Sequence, residues 1–473
     1  MGTTRLVPTD AALPFLAVAL DAQTMRGVFE QHLRTRQGND IAVIACEIER
    51  VKYRPRRNCI FAYKLKLRDA AGEREQRLCG GLYAPDDAVA RYEKALLQAS
   101  VATVDFAPVT FMRPLNMVLW AFPNERKLTA LPLISDATQL REHSLPEVVQ
   151  ARWGEGWEIV EFSSHISNYF PEHTCCVSVA MTLRNSRSGL QRSWEIIGKT
   201  RYDDGGAQTY RHMTALWDKP STEVAYARPI AYQREPRLLW QERVPGVTLH
   251  SLLVSAVAGH GLLFRVARAI AALHSTAMAH ASRITLQDLI ERLTAAKKII
   301  TAAHPDSAAA LHHAVGVLIE NADGLNPHCE GTWHGDLHSK NILVSPAQIY
   351  FIDMDRVASG PPLAELGSFL AEIISRGCLD GEQLQALQPT LIGVVAAYRE
   401  CVTWPAPESD VAWFTASALI HERALRCVTS LKPGRINFVG DLVAVAAQIA
   451  EAGLFVPFTA PVVDVLSEIG EVV

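Results

Sequence analysis

The sequence lacks the features that mark several large classes of protein. Its nine cysteines include no Cys-x-x-Cys pair, and none lies near a histidine at zinc-finger spacing, which favours free thiols in a reducing compartment. The net charge of −4 leaves no basic excess, which disfavours a dedicated nucleic-acid binder. No uncharged apolar run reaches the length of a membrane span, and the first residues do not form a secretory signal. We therefore expect a cytoplasmic protein with neither a nucleic-acid nor a membrane partner.

What the sequence does contain is typical of a folded globular protein. Hydrophobic residues make up 49% and charged residues 20% of its 473 residues, a balance that disfavours extensive disorder. This length allows roughly two to four compact units.

Part of the sequence repeats itself. Each copy runs from a Tyr-x-Pro followed by a cysteine, through two strands that end at a glycine, to a tyrosine in a helical segment and a final strand that ends in tryptophan. The matching positions are Tyr53 and Tyr169, Cys59 and Cys175, Gly80 and Gly198, Tyr92 and Tyr210, and Trp120 and Trp240. The order strand, turn, strand, helix, strand predicts a small antiparallel α+β lobe in each copy.

Helical periodicity replaces this pattern after Gly246. Residues 285–288 have the pattern of a capping box, which predicts that a helix begins there. We therefore predict an α+β chain with three segments: a first α+β lobe at 1–150, its second copy at 151–245, and a helical lobe at 246–473.

A group of ordered polar residues lies in the helical segment. Residues 334–343 read His-Gly-Asp-Leu-His-Ser-Lys-Asn-Ile-Leu, and after the apolar strand 349–352 the chain continues as Asp353-Met354-Asp355. Phosphoryl transfer needs one carboxylate that orients the attacking hydroxyl and accepts its proton. It also needs a second carboxylate and a neutral oxygen that hold magnesium.

The five-residue step from Asp336 to Asn341 equals the Asp-to-Asn step of the protein-kinase catalytic loop, with Gly335 in place of the arginine. The motif resembles that of the aminoglycoside phosphotransferase and choline kinase group. This resemblance implies a bilobal protein kinase-like fold, here with an extra N-terminal copy of the small lobe, that uses ATP and Mg²⁺. It makes Asp336 the catalytic base, and the loop would be braced by His334 and His338. Magnesium would be bound by Asn341 and Asp353, while Asp355 binds a second metal ion or stiffens the site.

The same resemblance predicts the nucleotide-binding residues. A lysine on the third strand of the small lobe neutralises phosphate oxygens in this group, and Lys199 occupies that place, whereas the first copy has Gly81 there. The segment 238–246 resembles the hinge, where adenine is bound by backbone groups. The candidates there are Gln241, Glu242 and Arg243, chiefly through the Gln241 carbonyl and the Arg243 N–H.

Three departures keep a second interpretation open. The helix after Lys199 has no acid between residues 206 and 217, so either Glu195, Asp203 or Asp204 substitutes for it, or phosphates alone position the lysine. The expected phosphate loop, residues 170–174, has no glycine, and Glu365 replaces the usual aspartate. The alternative to an active kinase is therefore a catalytically weak or silent pseudokinase that serves as a nucleotide sensor or interaction scaffold.

The acceptor is predicted only by class. The resemblance implies a hydroxyl group on a small molecule, with a sugar or an aminoglycoside-like amino sugar as the leading candidate. A protein substrate is less favoured, because no Ala-Pro-Glu follows Asp353. The oligomeric state does not follow from the sequence.

Overall fold

The computed structural model describes residues 10–33, 42–69, 72–98, 101, 103, 105–279, 282–325, 329–381, 384–432 and 434–455. All nine cysteines lie in these ranges, and all are free thiols. In these ranges, no helix has the combination of length and apolarity needed to cross a membrane. The chain divides into two compact units. We call them the sheet unit, described over 10–210 and 228–243, and the helical unit, described over 211–227 and 244–455.

Runs of helices and runs of strands follow one another from residue 16 to residue 153. The elements in chain order are α1 (Leu16–Ala19), α2 (Ala22–His32), β1 (Ala42–Arg54), β2 (Asn58–Asp69), β3 (Gly72–Tyr83), α3 (Pro85–Gln98), β4 (Val109–Met112), β5 (Met117–Ala121), α4 (Leu131–Ser135), α5 (Ala137–His143) and α6 (Leu145–Trp153). The next elements are β6 (Trp157–Phe170), β7 (Thr174–Asn185), β8 (Gln191–Arg201), α7 (Gly205–Trp217), β9 (Val224–Tyr226), β10 (Pro229–Gln233) and β11 (Leu238–Glu242).

The two sheets of the sheet unit have the same strand order. The first is ordered β1-β2-β3-β5-β4 and the second β6-β7-β8-β11-β10, and in each a helix follows the third strand. Their registers also match, because Gly80 lies opposite Phe61 and Leu119, while Gly198 lies opposite Val177 and Trp240. The two tryptophans of the predicted repeat are thus displaced by one position: Leu119, not Trp120, occupies the place of Trp240.

Alternation of side chains builds the core of the second sheet. In β7 the buried positions include Cys175, Val177, Val179, Met181 and Leu183, which all face one side because strand side chains alternate. Trp240 on β11 is fully buried in the same cluster. Apolar residues of α4, α5 and α6 join this cluster, so the chain from about Leu128 onward packs on the second sheet.

The helical unit follows the predicted periodicity. Its elements are β12 (Val247–Thr248), α8 (Leu249–Val254), α9 (His260–His274), α10 (Leu286–Ala303), α11 (Ala308–Glu320), β13 (Gly331–Trp333), β14 (Ile342–Val344), β15 (Ile349–Phe351), β16 (Ala358–Gly360), α12 (Pro362–Asp380), α13 (Leu384–Arg399), α14 (Glu408–Ala418), α15 (Leu425–Thr429) and α16 (Val439–Ala452). The predicted capping box is present, since the Thr285 and Asp288 side chains each bond to the other's backbone N–H at the start of α10. A π-helical turn, Leu419–Ala424, joins α14 to α15.

Candidate functional site

Two short strand pairs position the predicted reaction centre within the helical unit. The strand β13 pairs with β16, and β14 pairs with β15, so the loop 334–341 and the segment 352–357 connect the same two pairs. In the β14–β15 hairpin Ile342 lies opposite Phe351, and the N–H of Ile352 donates to the Asn341 carbonyl over 3.0 Å. This register brings Asn341 beside the start of the Asp353 segment.

His334 connects the two segments. Its ring is fully buried, Nε2 lies 2.7 Å from the Ile352 carbonyl oxygen, and Nδ1 lies 3.3 Å from the Asp336 backbone nitrogen. Because Nδ1 faces an N–H donor, it must be the acceptor, so the proton is on Nε2. The imidazole therefore fixes the backbone just before Asp336.

Gly335 is required by two features of its position. Its φ of +81° lies in the left-handed region, and a Cβ atom there would be 2.1 Å from the Arg356 carbonyl oxygen. Only glycine fits where the catalytic loop passes this close to the segment after Asp353.

The side chains of Asp336 and Asn341 serve different purposes. The Nδ2 of Asn341, a buried residue, donates to the Asp336 backbone carbonyl over 3.0 Å, which orients its Oδ1 away from that contact. Among the described residues, none donates a hydrogen bond to the Asp336 carboxylate. Asp336 thus has a fixed backbone and an accessible carboxylate, as a general base requires.

Asp353 has an unusual backbone conformation. Its φ is 67°, in the left-handed region, and Asp355 follows within the 3₁₀ turn Met354–Arg356. Non-glycine residues in this region are uncommon and concentrate at functional sites, and aspartate is one of the residue types that tolerate it. The turn redirects the chain directly after β15.

Two glutamates of α12 hold the loop 334–341. Glu365 accepts hydrogen bonds from the backbone N–H of His334 (3.0 Å) and of Gly335 (2.8 Å), and its Oε2 lies 3.1 Å from His274 Nε2. Glu372 accepts from the N–H (2.9 Å) and the hydroxyl (2.6 Å) of Ser339. Burial alone would raise the pKa of both carboxyls, but these bonds and neighbouring positive groups lower it. Glu365 was noted in the sequence as a substitution for aspartate, whereas nothing in the motif pointed to Glu372, seven residues further along the same helix face.

His338 also lies in this loop. Its Nδ1 accepts from the Lys340 N–H over 3.2 Å. Burial lowers its pKa, and the charges of Arg426 and Arg423 act in the same direction against those of Asp336 and Glu372. A neutral His338 adds no positive charge beside the Asp336 carboxylate.

A cavity of about 510 Å³ lies next to the loop in the helical unit. Asp336, His338 and Glu365 line it together with residues of α10, α12, α14, the π-helical turn and α15. Its size falls in the range of small-molecule sites, roughly 300–1,000 Å³. Trp413 on α14 is buried in the core, with Nε1 donating to the Leu318 carbonyl.

The predicted nucleotide residues lie in the sheet unit. Lys199 is half-buried in the centre of the second sheet, opposite Cys176 on β7 and Leu239 on β11. Glu242 at the end of β11 accepts from Arg152 Nε over 2.6 Å. The backbone N–H of Arg243, predicted to bind adenine, donates to the Glu195 carbonyl over 3.1 Å. Adenine would have to displace that bond to use this N–H, while Gln241 lies opposite Ile197 in the ladder.

The three acids suggested as partners of Lys199 all bind arginines. Glu195 pairs with Arg243 at 2.8 Å, Asp203 with Arg201 at 2.9 Å, and Asp204 with Arg237 at 2.7 Å. These pairs weaken the suggestion that one of the acids replaces the missing helix glutamate.

The predicted metal ligands Asn341, Asp353 and Asp355 do not form a cluster of acids. Across the described ranges, no three His, Cys, Asp or Glu side chains are arranged to hold a metal ion. Magnesium does not need such a cluster, because it retains several waters and binds through one or two carboxylates plus substrate phosphates. The oxygen donors of Asn341 and Asp353, held together by the hairpin register, fit that requirement.

Comparison with known proteins supports this chemistry. Residues 201–400 match the model of the phosphotransferase enzyme family. The match includes the loop, Asp353 and Glu365, and it begins just after Lys199. It confirms the resemblance drawn from the motif, and it covers less than half of the chain. Comparison with curated proteins finds no match.

Several solved structures are similar at low identity. They include a choline/ethanolamine kinase family protein from Mesorhizobium loti, with 13% identity, a TM-score of 0.40, and coverage of 58% of this chain and 86% of that one. Macrolide 2′-phosphotransferase MphH from Brachybacterium faecium has 13% identity and a TM-score of 0.38, with 59% and 92% covered. A thermostable mutant of aminoglycoside phosphotransferase APH(4)-Ia has 12% identity and a TM-score of 0.41, with coverage of 65% of this chain and 99% of that one. Because these TM-scores are below 0.5, the assignments below depend on the motif and on this chain's own geometry.

Proposed function

We propose that this protein belongs to the phosphotransferase enzyme family and transfers the γ-phosphate of ATP, bound with Mg²⁺, to a hydroxyl group of a small molecule, with a sugar or amino sugar as the leading class. The single observation that carries the proposal is the state of Asp336. Its backbone is held by His334 and Asn341, its carboxylate accepts no hydrogen bond from the described residues, and it lines a cavity of small-molecule size.

Asp336 acts as the base in this proposal. The acceptor hydroxyl donates to its carboxylate, which orients the oxygen for in-line attack and takes the proton as the bond to phosphorus forms. His338 Nδ1 already accepts from the Lys340 N–H, and the Glu365 oxygens accept from the N–H groups of His334 and Gly335, so both side chains are held in other hydrogen bonds. The bonds that fix the loop backbone keep the carboxylate in one position, and such positioning supplies most of the catalysis in phosphoryl transfer.

Asn341 and Asp353 would hold the metal, with Asp355 beside them. When bound there, magnesium would supply positive charge that offsets the charge on the transferring phosphate. The protein's part is to present one amide oxygen and one carboxylate from adjacent ends of the hairpin.

The remaining roles follow from the resemblance. Lys199 binds phosphate oxygens, and residues 241–243 contact the adenine. We assign the second sheet to the nucleotide lobe and the helical unit to the catalytic lobe of a protein kinase-like fold. The first sheet is assigned to a degenerate copy of the nucleotide lobe. This duplication is supported by the shared strand order and by Gly81, which takes the register position of Lys199 opposite Ile60.

The second candidate is a pseudokinase that senses nucleotide or serves as a scaffold. Two observations favour it: each acid suggested as partner for Lys199 is paired with an arginine, and the Arg243 N–H is already bonded. The accessible Asp336 carboxylate argues for catalysis.

One experiment separates the two candidates. Wild type and Asp336→Asn are titrated with ATP and Mg²⁺ by calorimetry and then assayed for phosphate transfer to sugars, aminoglycosides and amino alcohols. We expect similar nucleotide affinities and transfer only by wild type, reduced at least about 10³-fold in the variant. Nucleotide binding by wild type without transfer to any acceptor would establish the sensor, and equal transfer by both proteins would refute the role of Asp336.

A further inference from the structure

Arginines from three elements of the helical unit line the cavity that contains Asp336. Arg292 is on α10, Arg423 is in the π-helical turn, and Arg426 is on α15. We call these three the arginine cluster. Arg356 also lines the cavity, but it follows Asp353 and Asp355 directly in the chain and is not counted in the cluster. π-helical turns occur frequently at functional sites.

The charge of one member is balanced within the protein. Arg423 is buried, its Nη2 donates to the Ser368 carbonyl over 3.0 Å, and it lies 3.5 Å from Glu422. It also helps to lower the pKa of the buried Glu372 carboxyl, against the effect of burial. Arg423 is therefore a structural part of the wall.

The other two members form no such ion pair, although the charge of Arg292 also interacts with that of Asp288, one turn earlier on α10. In the described ranges of the chain, no acid forms an ion pair with Arg292 or Arg426, and both residues are exposed at the cavity. Their charges reach the reaction centre. Burial is the main cause of the lowered pKa of His338, two residues from Asp336, and the charge of Arg426 acts in the same direction. For His421 on the same wall, burial again lowers the pKa most, and the charge of Arg292 adds to it.

Three acids line the cavity: Asp336, Glu365 and Glu422. Asp336 is reserved for the acceptor hydroxyl in the proposed function. Glu365 holds the loop through two hydrogen bonds and forms a third with His274 on α9. Glu422 accepts from the Ser368 hydroxyl over 2.6 Å and lies beside Arg423. No lining carboxylate is left to bind an amino group, as a polycationic acceptor would require.

We infer that the acceptor carries an anionic group, a phosphate ester or a carboxylate, which Arg292 and Arg426 bind while its hydroxyl reaches Asp336. The guanidinium fork suits both anions, because it can donate two parallel hydrogen bonds to their oxygens. This inference rests on the proposed function and narrows its acceptor class to acidic or phosphorylated sugars and similar molecules, in place of aminoglycosides.

Inorganic sulfate is the probe for the anion site. Calorimetry is performed with Mg²⁺ and saturating AMP-PNP, so that the donor site is filled, and sodium chloride of equal ionic strength serves as the reference. We expect Arg292→Gln and Arg426→Gln each to weaken sulfate binding on the order of tenfold, since each removes a charged hydrogen-bonding partner. Lys298→Gln, an exposed change on the same helix outside the cavity, should leave the affinity unchanged. Absence of sulfate binding, or the same affinity in both arginine variants and wild type, would overturn the inference.

Transfer assays then identify the anion. Glucose, glucosamine, glucuronate and glucose 6-phosphate share one ring and differ in charge, and comparison of the last two separates a carboxylate from a phosphate ester. We expect kcat/KM to be highest for an anionic member and to fall in Arg426→Gln for that member alone. Efficient transfer to glucosamine or to an aminoglycoside that the arginine changes do not affect would refute the inference.

The two proposals can fail separately. Asp336→Asn should bind sulfate as wild type does, because the anion site does not use its carboxylate. Sulfate binding without transfer to any acceptor would remove the proposed function and leave the anion site. Transfer to a cationic acceptor without sulfate binding would remove the anion site and leave the function.

Discussion

Arg126 binds the carboxylate of Glu172 with two nitrogens, Nε at 2.9 Å and Nη2 at 2.7 Å. Glu172 is buried at the turn between β6 and β7, where its φ of 57° lies in the left-handed region. Lys127 lies 3.6 Å from the same carboxylate. The turn is the phosphate loop expected from the sequence, and the ion pair explains how it forms without glycine: the side chain contacts compensate for an unfavourable backbone conformation.

We predict that Arg126→Ala destabilises the sheet unit by about 2 kcal/mol, because it leaves a buried carboxylate with one weaker partner. Glu172→Gly added to that change should restore most of the loss, since glycine adopts positive φ readily and removes the orphaned charge. Urea unfolding of wild type, both single variants and the double variant measures the effect. If the double variant is less stable than Arg126→Ala, the pair does not stabilise the turn in this way.

This pair also indicates what the sequence could not reveal. The absence of glycine in residues 170–174 was visible, but Arg126 lies 46 positions away from its partner. Local patterns such as the capping box at Thr285 and the apolar face of α9 depend on neighbours within one or two turns, so periodicity predicted them. Contacts between distant segments depend on the tertiary fold, and no spacing rule encodes them.

The brace on the catalytic loop provides a second prediction. Glu365→Gln replaces one of two acceptor oxygens with an NH₂ group, which would face the N–H donor of either His334 or Gly335. We expect kcat to fall about 10²-fold, because the loop that holds Asp336 loses its position, while KM for ATP changes little. Glu365→Asp retains both oxygens and should recover part of the rate.

Steady-state kinetics on these two variants, with circular dichroism as a control for folding, test this role. Loss of kcat to the same extent in Glu365→Asp and Glu365→Gln would show that the two acceptor oxygens are not what matters.

The arrangement of the motif residues was easier to predict than that of the residues that support them. His334, Asp336, Asn341 and Asp353 are ordered along one short stretch, and the hairpin register joins them. Glu372 belongs to a helix of mostly buried apolar residues, and its function depends on Ser339, which the motif leaves undefined. The pairing of Glu195, Asp203 and Asp204 with arginines likewise depends on side-chain geometry that a spacing argument does not contain.

Lys199 provides a third prediction. We expect Lys199→Met to raise KM for ATP about tenfold or more, because the charge proposed to bind phosphate is lost from β8, the second strand after the expected phosphate loop. Lys66→Met on β2 of the first sheet is the matched control, since this lysine is half-exposed and pairs with Glu73. Equal effects of the two changes would contradict the assignment of nucleotide binding to the second sheet.

The pH dependence of stability provides the last prediction. Burial lowers the pKa of His421 and of His338, with nearby arginine charges acting in the same direction. Below the ordinary value of about 6.5 the unfolded chain therefore binds protons that the folded chain does not. Each histidine's contribution to the free energy of unfolding should fall by up to about 1.4 kcal/mol per pH unit as pH decreases from 6.5, until its lowered folded-state pKa is reached. The pKa values of Glu365 and Glu372 are also lowered, so their contributions are complete above about pH 4.5. Burial raises the pKa of Glu125 to about 7, so this carboxyl contributes with the opposite sign between about pH 4.5 and 7, and comparison with a histidine variant isolates the histidine effect.

His421→Asn isolates one of these groups. Asparagine cannot take up a proton, but its amide can still donate to the Ser417 carbonyl, which lies 2.6 Å from His421 Nδ1. We therefore expect the free energy of unfolding of the variant to increase relative to that of wild type as pH decreases. Urea unfolding at pH 7.5, 6.5 and 5.5 measures this change, whatever the difference in stability between the two proteins at pH 7.5. If the free energies of unfolding of the two proteins change in parallel with pH, His421 takes up its proton equally in the folded and unfolded chain, and its pKa is not lowered by folding.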